Sequence, residues 1–184
     1  MDTKTLVKTS KYLAKHLRHE PERLGLTLQP GGWVNVDDLL AACARNNVRI
    51  SRADLETVVR ENDKQRFSFD EAGTKIRANQ GHSTDVDLQL EPTRPPDVLY
   101  HGTGHQSANA IRENGLVKMA RHHVHLSLDI ETATRVGARH GRPIVFVVDA
   151  RTMQEAGHTF YVSDNGVWLV DEVPPQFLRT LSTP

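Results

Sequence analysis

The chain has 184 residues, enough for one good hydrophobic core or two small ones, and its 38% hydrophobic content is ordinary for a soluble globular protein. No segment approaches the roughly 18–20 consecutive apolar residues of a membrane span, and the N-terminus lacks the apolar core of a signal peptide. A cytoplasmic protein is therefore expected. Cys43 is the only cysteine, which excludes an internal disulfide and a zinc site built from several cysteines.

Charge does not identify a binding partner. Lys and Arg total 23, Asp and Glu also total 23, and the formal net charge is +0. Any surface for phosphate groups must therefore be local, and a few well-placed arginines suffice to form one. The one local excess lies in residues 1–19, which carry five Lys or Arg and a single Asp, a composition typical of a solvated helix face.

The first half of the sequence predicts three helices. The first is expected to end near Glu20, because Pro21 disfavours helical geometry in the residue before it. The second is expected to begin at Asn35. The third is expected to begin at Ser51, which is predicted as the N-cap, with Asp54 at the position that completes a capping box.

A β-hairpin is predicted to follow these helices. Residues 66–70 and 74–77 have the pattern of two strands around a short turn. Phe67 and Phe69 are expected to face the core, so Arg66 is expected to face outward. Helices followed by a hairpin resemble a winged helix.

A polar segment with three prolines and no helical periodicity runs from about residue 83 to residue 97. It is the only linker that the sequence predicts. We therefore expect two domains, 1–92 and 93–184.

The second half predicts a strand-rich domain with two or three helices. It lacks the strict alternation of strand and helix that a doubly wound sheet requires, so the expected fold class is α+β. The predicted helices cover residues 107–113 and 130–140. The predicted strands cover residues 97–101, 124–128, 144–148, 160–162 and 167–170, and an Asn-Gly hairpin turn joins the last two.

Two common nucleotide motifs are absent. Gly102-Thr103-Gly104 follows a strand, but the dinucleotide fingerprint needs a third glycine where Ser107 stands. The sequence has no phosphate-loop motif either. Hydride transfer on a doubly wound fold is therefore not expected.

Three nearby histidines invite comparison with a metal site. If residues 122–126 form a strand, His123 and His125 share one face and His122 points away. No carboxylate lies within this cluster, and no His-Glu-x-x-His pattern is present. Structural histidines are the favoured interpretation, and no functional metal is predicted.

Several cations allow both a structural and a functional interpretation. Arg18 and His19 follow an amphipathic helix, where positive charge is stabilised by the helix dipole; equally, a guanidinium beside an imidazole suits a phosphate that must be bound and exchange a proton. For Arg66 and Arg121, the structural interpretation is an exposed arginine on the protein surface. From these residues alone, the structural interpretation is favoured for each.

Seven short motifs, taken together, resemble the RNA 2′-phosphotransferase family. They appear in the family's order over about residues 8–172. They cover residues 15–19, 32–34, 63–67, 76–83, 99–103, 123–127 and 136–141.

The resemblance implies an N-terminal winged-helix domain that engages RNA and a C-terminal domain, similar to ADP-ribosyltransferases, that binds NAD⁺. It also implies that three arginines and one histidine meet around one phosphoryl group, without a metal. By motif position these are Arg18, His19, Arg66 and Arg121.

The same resemblance places the NAD⁺ pocket in the second domain. In the His-Gly-Thr motif, His101 and Thr103 are expected to meet ribose hydroxyls, and the backbone of Gly102 to meet nicotinamide. Ser127 and Ser107 are expected to line the same pocket.

The implied reaction has two steps. The RNA 2′-phosphate first attacks the ribose carbon that carries nicotinamide and expels nicotinamide. The adjacent ribose hydroxyl then attacks phosphorus, releasing RNA with a 2′-hydroxyl and ADP-ribose 1″,2″-cyclic phosphate. His19 is expected to act as general acid–base in the second step, where Arg66 stabilises the phosphate; Arg18 and Arg121 are expected to bind it throughout.

The phosphotransferase is expected to be a monomer. Two alternatives from other classes stay open. The first is an ADP-ribosyltransferase that modifies protein or nucleic-acid ends; the glutamate that protein-modifying members carry late in the domain is missing, since Glu172 lies beyond the last predicted strand. The second is a winged-helix nucleic-acid binder without catalysis.

Overall fold

The computed structural model describes residues 1–181, which form two compact units, Met1–Leu90 and a second that begins at Glu91. Each unit combines helices with antiparallel strands, so the predicted α+β class is confirmed. Within the described residues, no helix is both long enough and apolar enough to cross a membrane.

The first unit contains three helices and one three-stranded sheet. The predicted hairpin forms two of the strands, and a third strand, absent from the sequence prediction, pairs with the free edge of the second hairpin strand. The elements are α1 (Thr3–Arg18), β1 (Trp33–Asn35), α2 (Val36–Arg45), α3 (Arg52–Glu61), β2 (Phe67–Phe69) and β3 (Lys75–Ala78).

Local capping fixes the ends of these helices where the sequence predicts them. α1 ends at Arg18, and Pro21 begins a separate 3₁₀ turn. The Asn35 side chain accepts hydrogen bonds at the start of α2. Ser51 and Asp54 form the complete capping box of α3, in which each side chain binds the other residue's backbone N–H. The three predicted helix boundaries are confirmed.

The core of the first unit lies between the helices and the sheet. Leu13 and Leu17 of α1, Leu39 of α2 and Leu55 of α3 are all fully buried. They pack with Ile76, which lies at the centre of the sheet opposite both neighbouring strands. This packing places the end of α1 beside the segment that leaves β3.

The prediction that Arg66 is an outward-facing hairpin residue is wrong. β2 begins only at Phe67, and Gln65 adopts a left-handed conformation with φ of 38°, so the chain turns immediately before Arg66. Arg66 is half-buried, and its guanidinium donates a hydrogen bond to Ser10 of α1. Strand alternation therefore does not set its direction.

The second unit contains three helices and eight strands within its described residues. Their order confirms a strand-rich unit without strict alternation of strand and helix. The elements are β4 (Val98–Gly104), α4 (Ala108–Asn114), β5 (Leu116–Val117), β6 (Val124–Leu126), α5 (Ile130–Gly137), β7 (Pro143–Asp149), α6 (Ala150–Glu155), β8 (Phe160–Val162), β9 (Trp168–Val170), β10 (Glu172–Val173) and β11 (Leu178–Thr180).

These strands form two three-stranded antiparallel sheets, β11-β7-β4 and β6-β9-β8, and the short pair β10-β5. The predicted hairpin of β8 and β9 is confirmed, with Tyr161 opposite Leu169. Two predicted strand ends are wrong: β4 continues past His101 to Gly104, and β6 stops at Leu126. The hydrophobic side chain of Leu128 led to the prediction that β6 includes this residue, but Leu128 is 54% exposed and lies outside the strand.

The two glycines of β4 make room for α5 and for the turn that follows it. A Cβ atom at Gly102 would overlap the carbonyl oxygen of Ala133 in α5 and lie 2.5 Å from the carbonyl carbon. A Cβ at Gly104 would overlap the carbonyl oxygen of His140. Because strand residues alternate between faces, His101 and Thr103 lie on the opposite face of β4 from these glycines.

We expect Gly102→Ala to destabilise the second unit, since overpacking of this kind costs about 1–3 kcal/mol or more. Gly166→Asn is the matched control, because Gly166 lies in the same unit with nothing near its missing Cβ, and Asn tolerates its φ of 76°. Denaturant unfolding of both variants measures the difference. Equal free energies of unfolding would contradict the packing role of Gly102.

Candidate functional site

The C-terminus of α1 carries Arg18 and His19. His19 is the C-cap, and its backbone N–H donates to Lys15 O. The main-chain oxygen of Arg18 accepts hydrogen bonds from the backbone N–H groups of Ser83, at 2.9 Å, and Thr84, at 3.2 Å. His19 Nδ1 lies 2.8 Å from Ser83 Oγ. The segment after β3 therefore positions both predicted site residues, in addition to the helix itself.

The same segment also contacts the chain around Arg66. The backbone N–H of Asn79 donates to Arg66 O at 2.9 Å, and its side-chain Nδ2 donates to Gln65 O at 2.7 Å. Asn79 is 7% exposed. Residues 79–84 thus connect the turn that carries Arg66 with the end of α1, although these positions are far apart in sequence.

Two buried polar residues position the guanidinium of Arg66. Its Nη1 donates to Ser10 Oγ at 3.1 Å and to Asn62 Oδ1 at 3.2 Å. Asn62 Nδ2 also donates to Ser10 Oγ, so the three side chains form a closed triangle. Ser10 is 1% exposed and Asn62 is 3% exposed. Because Ser10 and Asn62 are buried, this charge-assisted network holds the arginine in one orientation.

Ser10 and Asn62 are not among the site residues predicted from the sequence. Ser10 offered a signal, because it is a polar residue at a position where helical spacing predicts an inward-facing side chain. Asn62 offered none, since an asparagine just after a helix is ordinary.

In the second unit, a hydrogen bond defines the state of His101. Its Nδ1 lies 3.1 Å from the main-chain oxygen of His125. Because a carbonyl oxygen only accepts, Nδ1 carries the proton and Nε2 is the acceptor in the neutral ring. Burial lowers the pKa of His101, which favours that neutral ring. His101 therefore offers a hydrogen-bond acceptor on the face of β4 opposite α5.

Arg121 is linked to the same strand segment. It lies in the turn that precedes β6, and its Nη1 is 3.1 Å from His125 Nδ1. His123 instead packs its ring on Tyr161, with 5.5 Å between ring centroids. Neighbouring histidines thus have different partners, and within residues 1–181 no group of three or more His, Cys, Asp or Glu side chains is arranged to bind a metal ion.

The three remaining predicted residues also belong to the second unit. Thr103 lies on β4, opposite Ile144 of β7, and is half-buried. Ser127 exchanges two main-chain hydrogen bonds with Tyr100, of 2.7 and 2.9 Å, which fix it beside β4. Ser107 is exposed at the start of α4, and its side chain makes no capping hydrogen bond.

A surface groove elsewhere in the second unit contains none of the predicted site residues. Its lining includes Lys118, His158, Tyr161 and Asp171. Lys118 Nζ forms an ion pair with Asp171 at 3.2 Å, so charges of both signs already neutralise each other there. This groove lacks the excess of positive charge that a phosphate site requires.

Comparison with known proteins identifies the family. Residues 4–172 match the family described as RNA 2′-phosphotransferase, Tpt1/KptA family. The chain belongs to this family. It is similar to the probable RNA 2′-phosphotransferase of Trichormus variabilis, with 65% identity over 99% of this chain and 100% of the relative. The corresponding proteins of Nostoc punctiforme (62% identity; 98% and 100% coverage) and Streptomyces griseus (59%; 97% and 98%) are also similar.

The family resemblance inferred from the seven motifs is thereby confirmed. Arg18, His19 and Arg66 all belong to the first unit, where α1 and the segment after β3 connect them. Arg121 belongs to the second unit, with all the residues predicted to bind NAD⁺. The individual roles of these residues stay predictions.

We predict that the stability of the protein falls as the pH drops below about 6.5, the ordinary pKa of histidine. Burial lowers the pKa of both His101 and His123 in the folded protein, so the unfolded chain binds more protons between the lowered values and 6.5. The free energy of unfolding therefore rises with pH through this window. Above it, the contribution of these two histidines to stability is complete.

The variant His101→Asn removes one titrating group and retains a donor amide near the position of Nδ1. Its denaturation midpoint, measured between about pH 5 and pH 8, should depend less on pH than that of the wild type. Superimposable pH profiles would contradict the proposed neutral state of His101.

Proposed function

We propose that this chain removes an internal 2′-phosphate from RNA and transfers it to NAD⁺. The products are RNA with a 2′-hydroxyl, ADP-ribose 1″,2″-cyclic phosphate and nicotinamide, with ADP-ribosylated RNA 2′-phosphate as the intermediate. The observation that carries the proposal is the family match, which extends over residues 4–172 and so includes every predicted site residue.

The two units support a division of labour between RNA and NAD⁺. Three helices with the small antiparallel sheet β1-β3-β2 have the composition of a winged helix, which fits RNA binding by the first unit. The strand-rich antiparallel second unit fits the ADP-ribosyltransferase-like role that the resemblance implies. We assign RNA to the first and NAD⁺ to the second.

The residues around β4 suit the ribose of a dinucleotide. His101 offers an acceptor nitrogen, and Thr103 offers a hydroxyl two residues later on the same face. Ser127 adds a second hydroxyl beside β4, and Ser107 is proposed at the outer edge. These groups match ribose hydroxyls, which both donate and accept hydrogen bonds.

Gly102 has a packing role in addition to the proposed contact of its backbone with nicotinamide. Its lack of a side chain is required by the close approach of α5, whether or not a ligand is present. We propose that it contributes to the pocket by allowing α5 to pack there, so that His101 and Thr103 are held on the opposite face.

When bound, NAD⁺ supplies the carbon that accepts the phosphate and the neighbouring hydroxyl that later attacks phosphorus. We propose that Arg18, Arg66 and Arg121 bind the phosphoryl oxygens and spread their charge, a task given to Mg²⁺ in many phosphoryl-transfer enzymes. Arg66 is preoriented for this by Ser10 and Asn62. Truncation of a good arginine contact is expected to cost ~2–4 kcal/mol of transition-state stabilisation.

His19 is the proposed general acid–base. A histidine changes its protonation state near neutral pH, so it can take a proton from the attacking hydroxyl or give one to the departing RNA oxygen. The contact between its Nδ1 and Ser83 Oγ restricts the rotation of the ring. Ser83 therefore supports the orientation that proton transfer needs.

The proposal predicts the products of a direct assay. Incubation with NAD⁺ and a 2′-phosphorylated oligonucleotide should release nicotinamide and yield 2′-hydroxyl RNA with ADP-ribose 1″,2″-cyclic phosphate. Activity should persist in EDTA. A stable ADP-ribose adduct as the end product would favour the ADP-ribosyltransferase alternative, and binding without nicotinamide release would favour the non-catalytic one.

We expect His19→Ala to accumulate ADP-ribosylated RNA, because the variant retains the arginines that bind phosphate but lacks the proton-transfer group of the second step. Single-turnover analysis of the RNA species measures both steps. Ser83→Ala is the matched variant: it keeps the imidazole and should slow the second step less. Equal loss of both steps in His19→Ala would contradict the assigned role.

A further inference from the structure

His125 contacts both His101, which is proposed to bind the nucleotide, and Arg121, which is proposed to bind the RNA phosphate. Its main-chain oxygen accepts the hydrogen bond from His101 Nδ1, at 3.1 Å, and its side-chain Nδ1 lies 3.1 Å from Arg121 Nη1. A guanidinium has donors only, so Arg121 donates and His125 Nδ1 accepts. His125 therefore carries the ring proton on Nε2, the opposite tautomer from His101.

The backbone at His125 is held firmly. Its neighbours Val124 and Leu126 are 4% and 1% exposed, and β6 pairs along its length with β9. Two residues later, the backbone N–H and carbonyl oxygen of Ser127 both form hydrogen bonds with the backbone of Tyr100. The imidazole of His125 thus projects from a fixed strand.

Arg121 lacks support of this kind from its own backbone. It is exposed and lies in a turn, where its N–H donates to Lys118 O at 3.1 Å. An arginine side chain that moves freely loses much rotamer freedom when it binds a phosphate, and orientation before binding reduces that loss. A contact from a rigid strand supplies such orientation.

We propose that His125 is a positioning residue, which orients the Arg121 guanidinium for the RNA phosphate from the same strand that fixes His101 for the nucleotide. The inference rests on the proposed function, because it assumes that Arg121 binds that phosphate. Through His125, the arginine is placed relative to the nucleotide pocket within one unit. From the sequence alone, His125 is expected to be either a structural histidine or a metal ligand.

The geometry allows the two contacts of His125 to be separated. The bond to His101 uses the main chain and is retained by any side chain, whereas the bond to Arg121 uses the imidazole. His125→Phe keeps a flat ring and removes the acceptor. His125→Asn places an amide oxygen near the position of Nδ1 and restores it. His123→Phe is the matched control, because His123 packs on Tyr161 instead of contacting Arg121.

Steady-state kinetics of the full chain with NAD⁺ and a 2′-phosphorylated oligonucleotide test the proposal. His125→Phe should lower kcat/KM for RNA about 10- to 100-fold, the range expected for one lost hydrogen bond to a charged group, and should leave KM for NAD⁺ unchanged. His125→Asn should recover most of the loss, and His123→Phe should match the wild type. In an Arg121→Ala background, His125→Phe should cause no further loss.

Each failure has a distinct meaning. Wild-type kinetics in His125→Phe, with Arg121→Ala impaired, would overturn the positioning role and leave the proposed function of Arg121 standing. A further loss in the Arg121→Ala background, or a lower unfolding temperature together with a raised KM for NAD⁺, would show that His125 is only structural. Wild-type activity in Arg121→Ala would overturn both the inference and the phosphate role of Arg121.

Discussion

The hydrogen bond between His101 Nδ1 and the main-chain oxygen of His125 is the constraint on which the candidate nucleotide site depends. It fixes the tautomer of His101, and burial lowers the pKa of this histidine so that the ring stays neutral. A neutral imidazole with an acceptor nitrogen suits a sugar hydroxyl, whereas a charged one would only donate. The alternation of β4 completes the arrangement, since Gly102 on the opposite face lets α5 pack closely.

In the first unit, too, hydrogen bonds fix the orientation of a candidate site residue, but here the oriented group is an arginine. Arg66 is oriented by the buried side chains of Ser10 and Asn62, and the end of α1 is tied to residues 83 and 84 through the main chain of Arg18. In each unit, a buried or strand-borne polar residue orients a cation that the proposed reaction needs. Such preorganisation is where electrostatic catalysis gains most, because no reorientation is needed when charge develops.

Local chemistry explains what the sequence predicted well. Asn35 and the pair Ser51 and Asp54 are capping residues whose signals lie within four positions, and the structure contains those caps. β1 and the direction of Arg66 could not be predicted, because both depend on partners far away in the sequence. The site residues follow from the family resemblance, since composition and spacing alone favoured a helix-end role for Arg18 and a surface role for Arg66. Asn62, which orients Arg66, and the main chain of His125, which accepts from His101, have no local signature in the sequence.

The opposite tautomers of His101 and His125 can be observed directly. A long-range proton–nitrogen NMR spectrum of histidine-labelled protein near pH 7.5, roughly one unit above the ordinary histidine pKa, reports which ring nitrogen carries the proton. We expect a proton on Nδ1 of His101 and on Nε2 of His125. In Arg121→Ala, the cross-peaks of the His125 ring should change and those of the His101 ring should not. A proton on Nε2 of His101, or on Nδ1 of His125, would contradict the hydrogen bonds that assign these tautomers.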